Sequence, residues 1–145
     1  MSGYTFIIGG GAIGWSSKWQ NLVALSSTEA EYIGLSNAGQ QLCWLRTFFE
    51  DIGYSQEIPT TLFCDNQGAI VLTKDLEYCA KTKHIQWKYH YIRDDVVAKG
   101  QAIIQYIPTD DMVADIFTKP LSLEKFEKFS HALGLRFRSS GSVKM

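Results

Sequence analysis

The sequence predicts an α/β fold, in which helices cover both faces of a mixed β-sheet. Three observations support this class. Short runs rich in β-branched and aromatic residues alternate along the chain with stretches of helical periodicity. With 46% hydrophobic and 20% charged residues, the chain is too apolar to be disordered. Its length of 145 residues suits one domain, which we place at residues 1–135, followed by a flexible tail at 136–145.

The first predicted elements are a hairpin and a long helix. Thr5–Ile8 and Ala12–Lys18 flank three consecutive glycines, which indicates a β-hairpin. Ser26 is followed three residues later by Glu29, which is the capping-box pattern of a helix N-terminus. Apolar residues then recur on one helical face until Gly53, which ends the predicted helix. These apolar residues are Leu35, Ala38, Leu42, Leu45 and Phe49.

A buried strand and more helical sequence follow. The apolar run Leu62–Cys64 predicts a buried strand, with a turn over 65–68 and a short helix over 69–72. Residues 82–99 predict a second long helix, which ends at Gly100. Its predicted buried face carries Ile85, Tyr89, Ile92 and Val96.

The last third of the chain predicts one more strand and two helical pieces. Residues 102–107 form a β-branched and aromatic run that is typical of a strand. A short helical turn is expected to begin at Thr109 or Asp110 and to run through Asp115. Ser122–Leu133 predicts the final helix.

Composition excludes several classes of protein. Fourteen lysines and arginines against fifteen aspartates and glutamates leave a formal charge of −1, which excludes a globally basic nucleic-acid coat. Three irregularly spaced cysteines indicate neither a disulfide framework nor a zinc site. The N-terminus lacks the charged segment of a signal peptide, and no apolar stretch approaches the ~20 residues of a membrane helix. We therefore expect an intracellular protein, in the cytoplasm or nucleus, without membrane partners.

Several common catalytic motifs are missing from the sequence. The glycines at 9–11 do not open a helix as a phosphate-binding loop does, and no Lys-Ser or Lys-Thr pair follows them. The three histidines lack HExxH spacing, and no serine lies in a GxSxG motif. These absences argue against P-loop hydrolase, zinc peptidase and esterase functions.

Three carboxylates are candidates for a cation site. Glu31 lies in the first turns of the long helix, Asp65 directly follows the predicted buried strand, and Asp115 lies in an apolar context after the last strand. Ligands of open α/β sheets bind beyond the carboxyl ends of parallel strands. Grouped acids without His or Cys suit Mg²⁺ or Mn²⁺. Each acid also has an ordinary alternative role, in the helix dipole, in a turn and at a helix cap, respectively.

A basic segment is the second candidate feature. No acidic residue lies between Glu77 and Asp94, and aromatic residues are interleaved with the basic ones. The basic side chains are Lys81, Lys83, His84, Lys88, His90 and Arg93. Such a helix could follow a phosphate backbone, and the alternative is an ordinary solvated helix face.

At these residues the sequence resembles the ribonuclease H domain of copia-type LTR retrotransposon Pol polyproteins. The matching blocks are WSSK at 15–18, SSTEAEY at 26–32, CDNQ at 64–67, TKHI at 82–85 and ADIFTKPL at 114–121. With Gly3-Tyr4, His90 and Arg93, their order and spacing cover residues 3–133, which is nearly the whole chain.

The resemblance implies a ribonuclease H-like fold with a five-stranded mixed sheet and two-metal hydrolysis of RNA in RNA–DNA hybrids. Glu31, Asp65 and Asp115 would then be catalytic, metal-binding acids, with Mg²⁺ or Mn²⁺ as cofactor. Lys81, Lys83, His84, Lys88 and Arg93 would contact the RNA–DNA hybrid or another nucleic acid.

One departure from the family pattern changes these expectations. The family's first strand, which carries a catalytic Asp and lies centrally in the sheet, has no counterpart before Gly3-Tyr4. We therefore expect weak metal binding and weak or no hydrolysis, or a repurposed non-catalytic module that binds nucleic acid or protein. Loss of the strand would leave two unpaired inner edges. The sheet could close with a shifted strand order, a strand-donating protein could fill the gap, or a homodimer could form by strand exchange.

Overall fold

The computed structural model of the protein describes residues 1–74, 87–88 and 91–136. The predicted helix over 82–99 therefore lies partly outside the described residues, as do positions 137–145 of the predicted tail. The described strands and α-helices are, in chain order, β1 (Ser2–Ile8), β2 (Gly11–Lys18), α1 (Ser27–Asp51), β3 (Thr60–Cys64), α2 (Gln67–Leu72), β4 (Ala102–Tyr106) and α3 (Leu123–Ala132). A π-helical segment at Tyr91–Val97 and two 3₁₀ turns at Thr109–Asp111 and Val113–Phe117 complete them.

The α/β class is confirmed, but the described strands form two separate sheets. β1 and β2 pair antiparallel, from Ser2 opposite Lys18 to Ile8 opposite Gly11. β3 and β4 pair in parallel, with Thr60 opposite Ala102. The expected single mixed sheet and its closure with a shifted order are thus wrong for the described residues, because no described strand joins β1 to β3.

Helix α1 supports both sheets, and its predicted beginning is confirmed. The Ser26 side chain accepts a hydrogen bond from the Glu29 amide (3.1 Å), and the Glu29 carboxylate accepts one from the Leu25 amide (2.6 Å). The first bond satisfies an amide that the first helical turn leaves without a partner, and the second ties the residue before the cap to the helix. The predicted apolar face is confirmed at Leu35, Ala38, Leu42 and Leu45, which are buried, whereas Phe49 is half-buried.

The core lies between α1, the parallel pair and the π-helical segment. Its members share nearly complete burial, and they include Tyr32, Ile33, Leu35, Leu42, Leu62, Cys64, Ala69, Leu72, Ile92, Val96 and Ala102. Gly39 allows α1 to pack closely against the π-helical segment, because an added Cβ would lie only 2.7 Å from Ile92 Cδ1. β3 is consequently anchored in the core up to its last residue.

Within the described residues Tyr91–Val97, the second predicted helix is wound as a π-helix and not as the expected α-helix. Ala98 N donates to Arg93 O at 2.8 Å, and Gln101 N donates to Val96 O at 2.9 Å, which are the i→i+5 bonds of a π-helix. Ile92 and Val96 are fully buried, as the pattern predicted. Apolar residues four positions apart share a face in either winding, so periodicity could not distinguish the two.

Helix α3 packs its C-terminal end against the hairpin turn. Ala12 N donates to Leu133 O at 3.0 Å, across 121 positions of the chain. Gly134 follows the helix with a φ of +84°, and an added Cβ would lie 2.6 Å from Gly10 O and 2.8 Å from the Cα of Gly11. The glycine run therefore serves as a turn that allows close backbone packing, in agreement with its rejection as a phosphate loop.

The predicted helical turn ending at Asp115 is found as the two 3₁₀ turns, which are tied to their neighbours. Ser17 Oγ donates to Phe117 O at 2.6 Å, which holds the second turn against the hairpin. Lys128 of α3 forms an ion pair of 2.6 Å with Asp111 of the first turn. Across the described stretches of the chain, no helix is long and apolar enough to cross a membrane.

Candidate functional site

A cavity of about 370 Å³ separates the two sheets. One wall is formed by residues 1–7 along β1 and the opposite wall by residues 60–65 along β3. Helix α1 contributes Ala30, Glu31, Gly34, Leu35 and Ala38, and residues 111–115 of the 3₁₀ turns also line it. We call this space the inter-sheet cavity.

The three candidate carboxylates all line the inter-sheet cavity. Glu31 comes from the second turn of α1, Asp65 directly follows the carboxyl end of β3, and Asp115 belongs to the second 3₁₀ turn. Asp115 is 8% exposed, Asp65 is half-buried, and Glu31 is exposed where it faces the cavity. Residues that are 84 positions apart in sequence therefore lie around one space.

Lys119 joins this group, and sequence reasoning did not assign it a role. Its Nζ lies 2.9 Å from Asp115 Oδ1 and 4.0 Å from Asp65 Oδ2. The spacing of four residues between Asp115 and Lys119 was the available sequence clue, since such pairs meet on one side of a helical turn. The ammonium group supplies positive charge among three negative side chains.

Thr109 is a second residue that sequence reasoning missed. Its hydroxyl donates to Asp65 Oδ2 at 2.9 Å. Thr109 begins the first 3₁₀ turn, which follows the parallel strand β4. The carboxyl ends of β3 and β4 therefore meet, as the parallel pairing requires, and Thr109 orients the Asp65 carboxylate there.

Electrostatics couple these side chains. Desolvation, followed by the charge of Asp65, raises the pKa of Glu31 above its ordinary value of 4.5, and Asp115 adds to the rise. Desolvation opposes protonation of Lys119, but its hydrogen bond to Asp115 and the surrounding carboxylates raise its pKa overall. The charges of Asp65 and Asp115 thus oppose ionisation of Glu31, and the charge of Lys119 favours it.

The fit to a divalent cation is mixed. Carboxylate oxygens are the donors that Mg²⁺ and Mn²⁺ prefer. After desolvation, the negative charge of Asp65 contributes most to the raised pKa of Glu31. Among the described residues, however, no three His, Cys, Asp or Glu side chains converge closely enough to hold a metal ion as they stand. The ammonium of Lys119 lies 2.9 Å from Asp115 and 4.0 Å from Asp65, whose oxygens a cation would need. The carboxylate oxygens suit a divalent cation, but the ammonium of Lys119 competes for them.

Cys64 is close to the carboxylates, but its thiol is unreactive. Burial is the main cause that raises the pKa of its thiol to about 11. A thiol with this pKa stays protonated at neutral pH, and it is the thiolate that attacks substrates and binds metals. Cys64 is therefore a packing residue of β3.

The basic candidates divide into two groups. Lys81, Lys83 and His84 lie outside the described residues. Lys88 is only 7% exposed, and its Nζ donates to Asn37 Oδ1 at 2.7 Å. Burial also lowers the pKa of Lys88. An ammonium group held in this way does not face solvent, unlike the exposed basic face expected from the sequence.

Arg93 is the other described member of the basic set. Its guanidinium forms a bidentate pair with Asp94, with Nε 2.6 Å from Oδ1 and a terminal nitrogen 2.9 Å from Oδ2. Its side chain is 16% exposed. Most of the charge of Arg93 is therefore balanced by its neighbour within the described part of the chain.

Comparison with curated proteins finds homologues among the Pol polyproteins of transposons. The chain is 41% identical over 134 residues to the retrovirus-related Pol polyprotein from transposon TNT 1-94 of Nicotiana tabacum, which covers 92% of this chain and 10% of that protein. It is 37% identical to the corresponding polyprotein from transposon RE2 of Arabidopsis thaliana and 36% identical to that from RE1 of the same plant. Both alignments cover 92% of this chain and 9% of the relative.

The chain spans about a tenth of the length of the curated relatives that it matches. No protein-family model matches it, and no solved structure matches it significantly. Its origin as a retrotransposon-derived domain therefore follows from the polyprotein homologues.

Proposed function

We propose that this retrotransposon-derived domain is a ribonuclease H-like nuclease of the copia type, whose substrate is the RNA strand of an RNA–DNA hybrid. The observation that carries the proposal is the grouping of Glu31, Asp65 and Asp115 around one cavity at the carboxyl ends of a parallel strand pair. This is where α/β sheets bind their ligands. The Pol polyprotein homologues agree with this origin.

In the proposed site the three carboxylates would hold Mg²⁺ or Mn²⁺. Such ions activate water and stabilise the leaving oxygen of a phosphodiester. The protein's own contribution is to position the acids: β3 anchors Asp65 in the core, and Thr109 fixes its carboxylate by a 2.9 Å hydrogen bond. Asp115 is held by a 3₁₀ turn that is bonded to the hairpin.

Lys119 gives a physical reason to expect weak metal binding. Its ammonium already neutralises part of the charge on Asp115 and Asp65. A divalent cation must compete with this group for the same carboxylate oxygens. We therefore expect slow cleavage by the isolated chain, with a high requirement for metal.

Cleavage of an end-labelled RNA–DNA hybrid, in Mg²⁺ and separately in Mn²⁺, tests the proposal. Asp65→Asn keeps an acceptor for Thr109 but removes the negative charge, and it should abolish cleavage. Asp95→Asn is the matched control, because Asp95 pairs with Lys99 at 2.6 Å and does not line the cavity. Equal cleavage by both variants, or none by folded wild-type protein, would contradict the proposal.

The hybrid is proposed to lie along the basic segment at Lys81, Lys83 and His84. Phosphate contacts by basic side chains make affinity fall with salt. Lys83→Glu should therefore weaken hybrid binding and reduce the salt dependence, while Lys99→Glu makes the same change in net charge at an exposed lysine. Similar effects of the two variants would mean that only net charge matters.

A non-catalytic binding module is the second candidate function. The ion pair between Lys119 and Asp115 favours it, because this pair stabilises the carboxylates without any metal. Hybrid binding without cleavage, by protein shown to be folded, would support this alternative.

A further inference from the structure

The opposite walls of the inter-sheet cavity are the edges of two strands. Successive side chains of a strand point to opposite faces, so a cavity against a strand's face is lined by alternate residues. This cavity is lined by every residue from Met1 to Ile7 and by every residue from Thr60 to Asp65. Consecutive lining indicates that the backbone edges of β1 and β3 face each other across the cavity.

Both of these edges lack a strand neighbour among the described residues. There, β1 pairs only with β2, and β3 pairs only with β4. A free strand edge presents a row of backbone N–H and C=O groups that seek partners. The Thr5 hydroxyl of β1 is also buried without a hydrogen-bond partner within the described structure, and Thr5 lines the cavity.

The other two sides of the cavity include small and apolar residues beside the carboxylates Glu31, Asp111 and Asp115. Ala30, Gly34 and Ala38 lie four residues apart on α1, so they leave room above the helix. Met112 and Val113 of the turn region also line the cavity. Side chains on both faces of an occupant would therefore meet protein, and strands buried on both faces are nearly continuously apolar.

We propose that the inter-sheet cavity binds an extended, apolar peptide segment, inserted as a strand between β1 and β3 and hydrogen-bonded to both. A peptide backbone is the chemistry that satisfies two facing rows of donors and acceptors. β3 has five residues, so the paired segment is about five or six residues long, at roughly 3.3 Å per residue. At the carboxyl end of β3 the carboxylates outnumber the ammonium of Lys119, which favours a cationic residue at that end of the segment.

The probe is an acetylated and amidated peptide with a Val-Thr-Val-Val-Thr-Val centre and one lysine at each end. Its binding is measured by calorimetry in a metal-free buffer without nucleic acid. We expect saturable binding with one peptide per chain. Hydrogen exchange should then slow at amides of β1 and β3, and it should stay unchanged in α3. Absence of binding by folded protein would overturn the proposal.

Two modified peptides test whether both edges take part. Successive N–H groups of an extended segment point to opposite sides, so methylation of alternate nitrogens removes the donors to one edge only. Methylation of the odd set and of the even set should each weaken binding by about tenfold or more, because several hydrogen bonds are lost. If only one set matters, the peptide pairs with a single edge and insertion between the sheets is wrong.

A protein variant places the binding at the cavity. Ala38→Leu adds three carbons to its α1 side and should reduce peptide affinity by about tenfold or more. Ala132→Leu is the matched control, since Ala132 is exposed near the end of α3. Equal affinities would overturn the proposal, and the methylated peptides decide the matter if Ala38→Leu does not fold.

A second copy of the chain is the competing occupant. If light scattering shows a dimer, and β1 and β3 are protected more strongly at higher protein concentration without peptide, the copy fills the cavity and the peptide proposal is wrong. The binding assay contains neither metal nor hybrid. Failure of peptide binding therefore does not bear on the nuclease proposal, which the cleavage assay tests. Failure of cleavage likewise does not bear on peptide insertion.

Discussion

The close approach of Gly134 to the hairpin turn predicts a large effect of adding one methyl group. In Gly134→Ala the new Cβ would lie 2.6 Å from Gly10 O and 2.8 Å from the Cα of Gly11, and both are backbone atoms. The helix end and the turn must separate to accept it. The hydrogen bond from Ala12 N to Leu133 O lies in the same contact and should lengthen.

Gly53 provides a matched control for the backbone conformation. It follows α1 with a φ of +86°, compared with +84° for Gly134 after α3. Each glycine amide donates to the carbonyl three residues earlier, at 2.9 Å for Gly53 and 3.0 Å for Gly134. An added Cβ at Gly53 meets nothing within 4 Å. The two alanine variants therefore share the conformational strain and differ in the steric clash.

The expected magnitudes follow from these contacts. A left-handed conformation costs an alanine roughly 1–2 kcal/mol, which is the whole expected loss in free energy of unfolding for Gly53→Ala. Forcing a methyl group against packed backbone adds about 1–3 kcal/mol in Gly134→Ala. The total loss of ~2–5 kcal/mol is a large part of the ~5–15 kcal/mol that stabilises an ordinary domain.

Urea unfolding of wild type and both variants measures this difference. The denaturant midpoint should fall in the order wild type, Gly53→Ala, Gly134→Ala, with the same m-value. Equal losses of stability in the two variants would refute the docking of α3 on the hairpin turn. That result would also contradict the role of the glycines at 9–11 in close backbone packing.

Three further predictions concern the charged residues. Desolvation at the cavity and neighbouring charge raise the pKa of Glu31 in the folded protein. Wild type should therefore lose stability relative to Glu31→Gln as pH rises from about 4 to 7 in chelator. Urea midpoints at both pH values check this, and a constant difference would contradict it. Lys119→Met should tighten Mn²⁺ binding in calorimetry, because it removes the competing ammonium. Lys125→Met, which breaks an ion pair on the surface, should leave the Mn²⁺ affinity unchanged. Identical affinities of the two variants would show that the Lys119 ammonium does not compete. Lys88→Met should lower the free energy of unfolding, because Asn37 Oδ1 loses its hydrogen-bond donor. The same variant should leave the affinity for the hybrid and its salt dependence unchanged. A weaker salt dependence of hybrid binding would place Lys88 on the nucleic-acid surface.

Elements defined by local chemistry were predicted correctly. The hairpin, α1 and α3 depend on short-range features, namely the glycine turn, the caps at Ser26 and Ser122, and apolar periodicity. The parallel pairing of β3 with β4 was implicit in the alternation of strands and helices. This pairing places Asp65 at a carboxyl strand end, so its location was also predictable.

Other features depend on contacts between distant segments. Periodicity showed that Ile92 and Val96 are buried, but it did not reveal the π winding of their segment. Composition marked Lys88 as part of a basic segment, but Asn37, 51 residues away, binds its ammonium in the interior. A one-dimensional pattern contains no information on which distant polar group will meet a side chain.

The candidate site shows the same division. Position along the chain made Glu31, Asp65 and Asp115 candidates, and only the family resemblance implied that they share a site. Their arrangement around Lys119 and Thr109 depends on how the turns after β4 pack against β1 and β3. The separation of the two sheets is likewise a property of the folded chain, because strand pairing is a long-range interaction that each strand's own sequence leaves open.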